Sequence, residues 1–255
     1  MTREVLRRMR SRFVGLAGGY AERLGERREH IVLKRDHSLR VHALAARIVA
    51  GEGLAPALPF LAASLLHDIG RFPQFERFGT YRDDESVDHG DEGAAFLEGS
   101  DFLDCFAVRE RDCIVQAVRM HNKREIPEGM DPLARSICEV VRDADKLDIV
   151  PVVLSKMQAA GPRDPVVTLG LADEPLAWTQ SVLEAVAAGG NPSYKDLRCI
   201  NDFALLLASW GPVLVHRSSR RIFAGRGYLD RLFALLPADP GIGALRADLA
   251  RRLAA

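Results

Sequence analysis

The sequence has few cysteines, no long apolar run and no excess of either charge. Its four cysteines follow no CxxC spacing, and no secretory signal opens the chain, so we expect a cytoplasmic protein without a disulfide framework. The longest apolar stretch, residues 54–66, is shorter than the roughly 20 residues that span a bilayer. It predicts a buried core helix and no membrane partner. Lys plus Arg equal Asp plus Glu at 35 each, so no global field attracts nucleic acid.

Strand signals are also nearly absent. Ala, Leu, Arg and Glu dominate, which predicts an all-α fold in a single helical unit over residues 1–255. Candidate helices lie roughly over residues 3–28, 37–50, 56–69, 90–98, 104–121, 131–150, 174–188, 195–210, 226–236 and 241–254. Predicted breaks contain Gly or Pro and lie at 51–53, 161–165, 189–192 and 237–241.

The segment 70–88 shows no clean helical period. Long irregular segments inside compact domains are often lids or binding loops. A solvated excursion is the alternative, and the aromatic residues of the segment argue against it. We therefore expect a functional loop here.

A histidine and an aspartate, His67-Asp68, end a helix that is apolar nearly all round. Burial of an ionised carboxylate without a partner costs several kcal/mol or more, and a divalent cation would compensate it. By itself this common dipeptide favours a simpler explanation, a neutral histidine bonded to a carbonyl and an aspartate that caps a neighbouring helix.

Three more histidines occupy inward positions. His37 lies one turn before Val41 on an apolar face, His121 continues the stripe that includes Ile114, and His89 opens a helix after the segment 70–88. A lone inward histidine is more often a satisfied core residue than a ligand. Four such histidines beside an aspartate favour a metal site.

A further carboxylate lies in the sequence VRDADKLDIV. On a helical wheel Asp148 sits nearer the centre of the apolar stripe than Asp145, and Asp143 lies on the opposite flank. Periodicity predicts that one of the three faces inward and leaves open which one.

These residues resemble the signature of the HD-domain superfamily of metal-dependent phosphohydrolases. The matching residues are His37 in HSLRV, His67-Asp68 in LLHDIGRF and Asp145 in DADKLD. The resemblance extends over about residues 30–150 and implies an HD-domain helical bundle with a C-terminal helical extension over 156–255. It also implies that Asp145 is the final ligand, with Asp148 in a supporting position.

The resemblance extends to a two-metal branch of the superfamily, which has two extra histidines. His89 and His121 occupy the corresponding places. It implies one or two divalent ions, with Asp68 as the bridge, one ion held by His37, His67 and Asp145, and the other by His89 and His121. Such ligands suit Mn, Fe, Ni, Co or Zn without choosing among them.

The implied function is hydrolysis of a phosphomonoester or phosphodiester in a nucleotide or another small phosphorylated molecule. A metal-activated water would attack, His121 would carry the proton, and Arg71 and Lys146 would steady the phosphate. Lys123 and Arg124 are weaker candidates for that role. Many relatives have Lys where this chain has Arg71, which keeps the charge. The Gly-Tyr-Pro signature of the cyclic-dinucleotide branch is absent.

Two alternatives use the same six ligands: a di-iron oxygenase resembling myo-inositol oxygenase, and a non-catalytic metal-containing sensor. The C-terminal part, with Trp178 and Trp210, would cap the pocket or form a face between copies in a homo-oligomer. We interpret its basic run HRSSRR, residues 216–221, as a solvated helix end rather than a nucleic-acid patch.

Overall fold

The computed structural model describes residues 2–158 and 170–254, and its regular structure there is helical. An isolated bridge between Ala172 and Cys199 is the exception. The predicted all-α fold is confirmed. The chain forms two compact units, Met1–Asp145 and Lys146–Ala255. No helix in the described part of the chain combines the length and apolarity needed to cross a membrane.

The first unit is built from a run of helices whose apolar faces share one core. They are α1 (Thr2–Leu24), α2 (Arg28–Glu52), α3 (Ala57–Leu66), α4 (Arg71–Phe78), α5 (His89–Glu98), α6 (Val108–Met120) and α7 (Pro132–Gln158), and α7 continues beyond the unit. Helix α3 packs on α1, α2 and α6. Seven of its ten residues are buried, so the residues that follow it enter the interior of this unit.

Helix α2 begins at Arg28, well before the predicted start at residue 37. The charged residues before His37 concealed its first turns. Ile31 is fully buried and lies ten residues before Val41, which is close to three helical turns, so both side chains face the core. This extension places Lys34 one turn before His37 on the same helix.

The absence of a helix in the segment 70–88 was a wrong prediction. Residues 71–78 form α4, and Asp83–Glu85 form a short 3-10 helix. Pro73 interrupts the helical periodicity of the sequence here, although the first turn of a helix tolerates proline. Phe72 packs between Phe13 and Tyr20 of α1, with ring centroids 5.6 and 5.7 Å away. The segment is therefore anchored to the core by its aromatic side chains.

The second unit surrounds one apolar helix. Its helices are α8 (Gln180–Ala187), α9 (Ile200–Val213), α10 (Arg217–Gly225), α11 (Tyr228–Phe233) and α12 (Pro240–Ala254). Helix α9 contacts the other four, and twelve of its fourteen residues are buried. The run HRSSRR lies at the N-terminal end of α10, and its Ser219 is buried. The predicted break at 161–165 lies outside the described residues.

Asp202, in the first turn of α9, joins the start of this helix to the segment before α8 through hydrogen bonds. Its carboxylate accepts hydrogen bonds from the Thr179 backbone N–H (2.6 Å) and hydroxyl (2.7 Å), and from the backbone N–H of Arg198 (2.8 Å) and Cys199 (3.2 Å). Burial alone raises the pKa of Asp202, but the hydrogen bonds from Thr179 and Arg198 outweigh it and lower the pKa. The ionised form is therefore part of the fold.

We expect Asp202→Ala to lower the free energy of unfolding of the second unit by about 3 kcal/mol, because several donors lose a charged acceptor. Since the folded pKa is lowered, this contribution is present above the ordinary carboxyl pKa of about 4 and is lost as the pH falls below it. Urea unfolding followed by tryptophan fluorescence measures it, because both tryptophans, Trp178 and Trp210, lie in this unit.

Asp230→Asn is the matched control, since this exposed aspartate pairs with Arg246 at the surface. Its effect should stay within about 0.5 kcal/mol. A difference between wild type and Asp202→Ala that stays constant from pH 7 to pH 3 would contradict the role of the ionised carboxylate.

Candidate metal centre

The structure brings together all six residues that the sequence analysis proposed as metal ligands. They come from the ends of α3, α5 and α6 and from the interiors of α2 and α7. These side chains are His37, His67, Asp68, His89, His121 and Asp145. Five of them are buried, and only Asp145 is partly exposed.

Asp68 lies at the middle of this cluster, and its two carboxylate oxygens face different histidines. Oδ1 is 3.4 Å from His89 Nε2 and 3.7 Å from His121 Nε2. Oδ2 is 3.7 Å from His37 Nε2 and 3.9 Å from His67 Nε2. A carboxylate in this position can contact one cation through each oxygen.

Asp145 completes the side of the cluster that Oδ2 faces. Its Oδ1 lies 3.0 Å from His37 Nε2 and 3.9 Å from His67 Nε2. The donor atoms of His37, His67 and Asp145 lie within 4.8 Å of one another, and so do those of His67, Asp68 and His121. His67 belongs to both groups.

The outer nitrogens of three histidines fix which tautomer each imidazole adopts. His67 Nδ1 donates to the Ser64 carbonyl (3.0 Å), and His121 Nδ1 donates to the Val118 carbonyl (2.7 Å). His89 Nδ1 lies 2.7 Å from Asp83 Oδ2. Carbonyls and carboxylates only accept hydrogen bonds, so each Nδ1 carries the hydrogen and each Nε2 presents a lone pair to the cluster.

These lone pairs show that the site fits a cation. His89 Nε2 and His121 Nε2 are 3.1 Å apart, and neither carries a hydrogen when both rings are neutral. Burial lowers the pKa of His67 to about 4 and that of His89 to about 3, which disfavours their protonated forms. Neutral imidazole nitrogens and carboxylate oxygens around one buried point form a donor set typical of divalent transition metals.

Two cations of the chain lie beside Asp68. Lys34 donates from Nζ to Oδ2 at 2.9 Å, and Arg71 Nε is 3.6 Å from Oδ1. Burial alone raises the pKa of Asp68, but the positive charges of Lys34 and Arg71 outweigh burial and hold the pKa well below its usual range. Asp68 is therefore ionised and available as a ligand.

The residues proposed for phosphate binding lie in different surroundings. Arg71 is largely buried, and its Nη1 donates to Gln74 and Asp83, so it is held among the residues that support the cluster. Lys123 pairs with Asp88 and Asp91, and Arg124 is exposed.

Lys146 directly follows Asp145 and belongs to the second unit. There its ammonium lies 5.9 Å from the centre of the Trp210 ring. His121 faces inward as a candidate ligand, with Nδ1 bonded to a carbonyl. This geometry favours a ligand role over the predicted proton transfer.

Sequence reasoning missed Lys34, Tyr81 and Asp83. Lys34 could have been found from its spacing of one turn before His37, had the helix been extended. Tyr81 donates its hydroxyl hydrogen to the His30 carbonyl (2.7 Å) and covers the Lys34 ammonium, 5.3 Å from the ring centre. Asp83 carries no local signal, because its partners lie on other turns and helices.

The model of the HD domain family matches residues 35–150 of this chain. No curated protein and no solved structure matches it. Residues 35–150 therefore belong to the HD-domain superfamily, whose members are generally metal-dependent hydrolases. The match includes all six clustered residues, and the clusters described above could hold divalent metal.

Gly70, in the turn after Asp68, lies close against the backbone of helix α5. A Cβ atom there would lie 2.3 Å from the His89 carbonyl oxygen and 2.5 Å from the Gly93 nitrogen. We expect Gly70→Ala to force α5 outward and to lower the free energy of unfolding of the first unit by about 3 kcal/mol. Urea unfolding followed by far-UV circular dichroism would measure the loss.

Gly99→Ala provides the control at the other end of α5, because a Cβ atom there would meet its nearest neighbour at an ordinary 3.6 Å. It should leave stability within about 0.5 kcal/mol of wild type. Equal stability of the two variants would mean that α5 does not depend on this contact.

Proposed function

We propose that this chain is a metal-dependent phosphohydrolase that acts on a nucleotide or another small phosphorylated molecule. The observation that carries the proposal is the position of Asp68. Its buried carboxylate lies between His37 and His67 on one side and His89 and His121 on the other, as a bridge between two cations would. Two bound ions are the arrangement that this geometry supports best.

The six clustered residues divide between the two ions. His37, His67, Asp145 and Asp68 Oδ2 would hold one ion, and His89, His121 and Asp68 Oδ1 the other. Ions bound there would lower the pKa of a bound water and neutralise charge on phosphoryl oxygens. Manganese, iron, nickel, cobalt and zinc all suit these donors.

The chain contributes the charge balance and the geometry. Asp68 and Asp145 supply two negative charges, fewer than the positive charges of two divalent ions, so the loaded centre would attract an anion such as phosphate. The carbonyls that accept from His67 and His121 keep the Nε2 atoms of both rings unprotonated and inward. Lys34 holds the carboxylate of Asp68 in place from the other side.

Substrate would approach beside Asp145. The side chain of Asp145 is 23% exposed, whereas those of Asp68 and His67 are 4% and 0% exposed. Lys146 is the next residue of α7, and we retain it as the proposed cation for the phosphate. Arg71, which is held by Asp83, would act by fixing the carboxylates around it.

The test compares wild type with Asp68→Asn after loading with Mn²⁺ or Co²⁺ under argon. We expect wild type to release phosphate from members of a panel of nucleotides and phosphorylated metabolites. Asp68→Asn should lose bound metal and lower the release rate at least about 100-fold, because the bridge loses its charge. Elemental analysis measures the metal, and a phosphate assay measures the rate.

Asp104→Asn is the control, because this exposed aspartate pairs with Arg111 at the surface. It should keep wild-type metal content and rate. Turnover that requires iron and consumes dioxygen would replace the proposal with the oxygenase. Tight metal binding without turnover of any compound in either assay would favour the sensor.

A further inference from the structure

Asp83 has both carboxylate oxygens engaged, although it lies in the connection between α4 and α5. Oδ1 accepts from Arg71 Nη1 (2.8 Å) and Gln74 Nε2 (3.0 Å). Oδ2 accepts from His89 Nδ1 (2.7 Å) and Asn122 Nδ2 (3.3 Å). Burial alone raises the pKa of Asp83, but the hydrogen bond from His89 and the charge of Arg71 outweigh it, and the pKa lies below its usual range.

This carboxylate distinguishes His89 from two of the other inward histidines. His67 and His121 donate from Nδ1 to neutral backbone carbonyls, Ser64 and Val118. His89 donates to a negatively charged group instead. A carboxylate acceptor draws the Nδ1 hydrogen away from the ring and makes Nε2 a stronger electron donor, which raises its affinity for a cation.

The segment around Asp83 is held in place by several contacts. Gln74 Nε2 donates also to Ser86 Oγ and the Val87 carbonyl, both at 2.9 Å. Tyr81 stacks on Phe75 with ring centroids 4.7 Å apart. These contacts link α4 to the approach to α5, so the position of the Asp83 carboxylate relative to His89 is set by the fold.

We propose that Asp83 is a positioning residue that gives the His89 and His121 side of the centre its affinity for an ion. Occupancy of that side depends on Asp83, whereas the side formed by His37, His67 and Asp145 does not. The inference rests on the proposed two-ion centre. It assigns a function to the segment 70–88, which holds the Asp83 carboxylate in position beside the ligand His89.

Asp83→Asn is the informative substitution because the surroundings allow its amide no good orientation. Arg71 and Gln74 only donate toward Oδ1. An amide oxygen there leaves the amide NH₂ facing His89 Nδ1, which favours the tautomer with hydrogen on Nε2 and blocks that ligand. The opposite orientation keeps the His89 hydrogen on Nδ1, but it places the amide NH₂ group against the Arg71 guanidinium, where two donors face each other. Either arrangement weakens His89 as a ligand.

The experiment titrates metal-free wild type and Asp83→Asn with Mn²⁺ and measures stoichiometry and stepwise affinities by calorimetry. Wild type should bind two ions. Asp83→Asn should bind one ion with the wild-type affinity and the other ion about 10–100-fold more weakly. Asp84→Asn is the control, because its exposed carboxylate pairs with Arg82, and it should match wild type at both ions.

Cobalt provides a signature that a general loss of stability would not produce. In the proton spectrum of the Co²⁺-loaded protein, exchangeable Nδ1 hydrogens of ligating histidines give separate shifted signals. The signal of His89, assigned by its loss in His89→Gln, should move or disappear in Asp83→Asn, while those of His67 and His121 remain. Asp83→Glu keeps the charge and should retain the second ion within about tenfold of wild type.

The outcomes separate this inference from the proposed function. Two ions in wild type and two unchanged affinities in Asp83→Asn would overturn the inference and leave the phosphohydrolase intact. Equal weakening of both ions would also overturn it, in favour of a purely structural role for Asp83. A single ion in wild type would reject the two-ion centre itself, and that result comes from wild type alone.

Discussion

The burial of one negative charge organises the first unit. Asp68 is 3% exposed, and an ionised carboxylate at that depth needs opposite charge or strong hydrogen bonds on every side. The chain supplies Lys34 and Arg71 from within, and around the rest of the carboxylate it places imidazoles, of which those of His67, His89 and His121 present an Nε2 without a hydrogen. The fold alone leaves this arrangement incomplete, since lone pairs still face one another. A bound cation would therefore stabilise the fold and create the reactive site through the same contacts.

Part of this could be predicted from the sequence because it depends on local periodicity. His37 and His121 continue apolar stripes, so their inward direction follows from helical spacing. His67-Asp68 ends a helix that is apolar all round, which places both residues in the interior. The all-α fold follows from composition in the same way. These predictions required only that each helix bury its apolar face.

The remainder depends on contacts between distant parts of the chain. Periodicity could not select Asp145, because Asp143 and Asp148 are the more buried of the three at 2% and 4% exposed. The family resemblance named Asp145, and the structure places its oxygen beside His37. Asp83 gave no signal at all, since its role is defined by His89 on the next helix. A residue that supports a ligand rather than binding the ion has no pattern of its own in a single sequence.

The first turns of α2 impose a constraint on how this sequence can diverge. Lys34 and His37 reach the same carboxylate because they lie three positions apart on one continuous helix. One residue inserted between them would turn the lysine by about 100° around the helix axis and take the ammonium away from Asp68. Deletion of one residue between them would turn the lysine by a similar angle in the opposite direction. Divergence at this place must therefore proceed by substitution, and relatives that keep the interaction should keep the spacing even where the intervening residues differ.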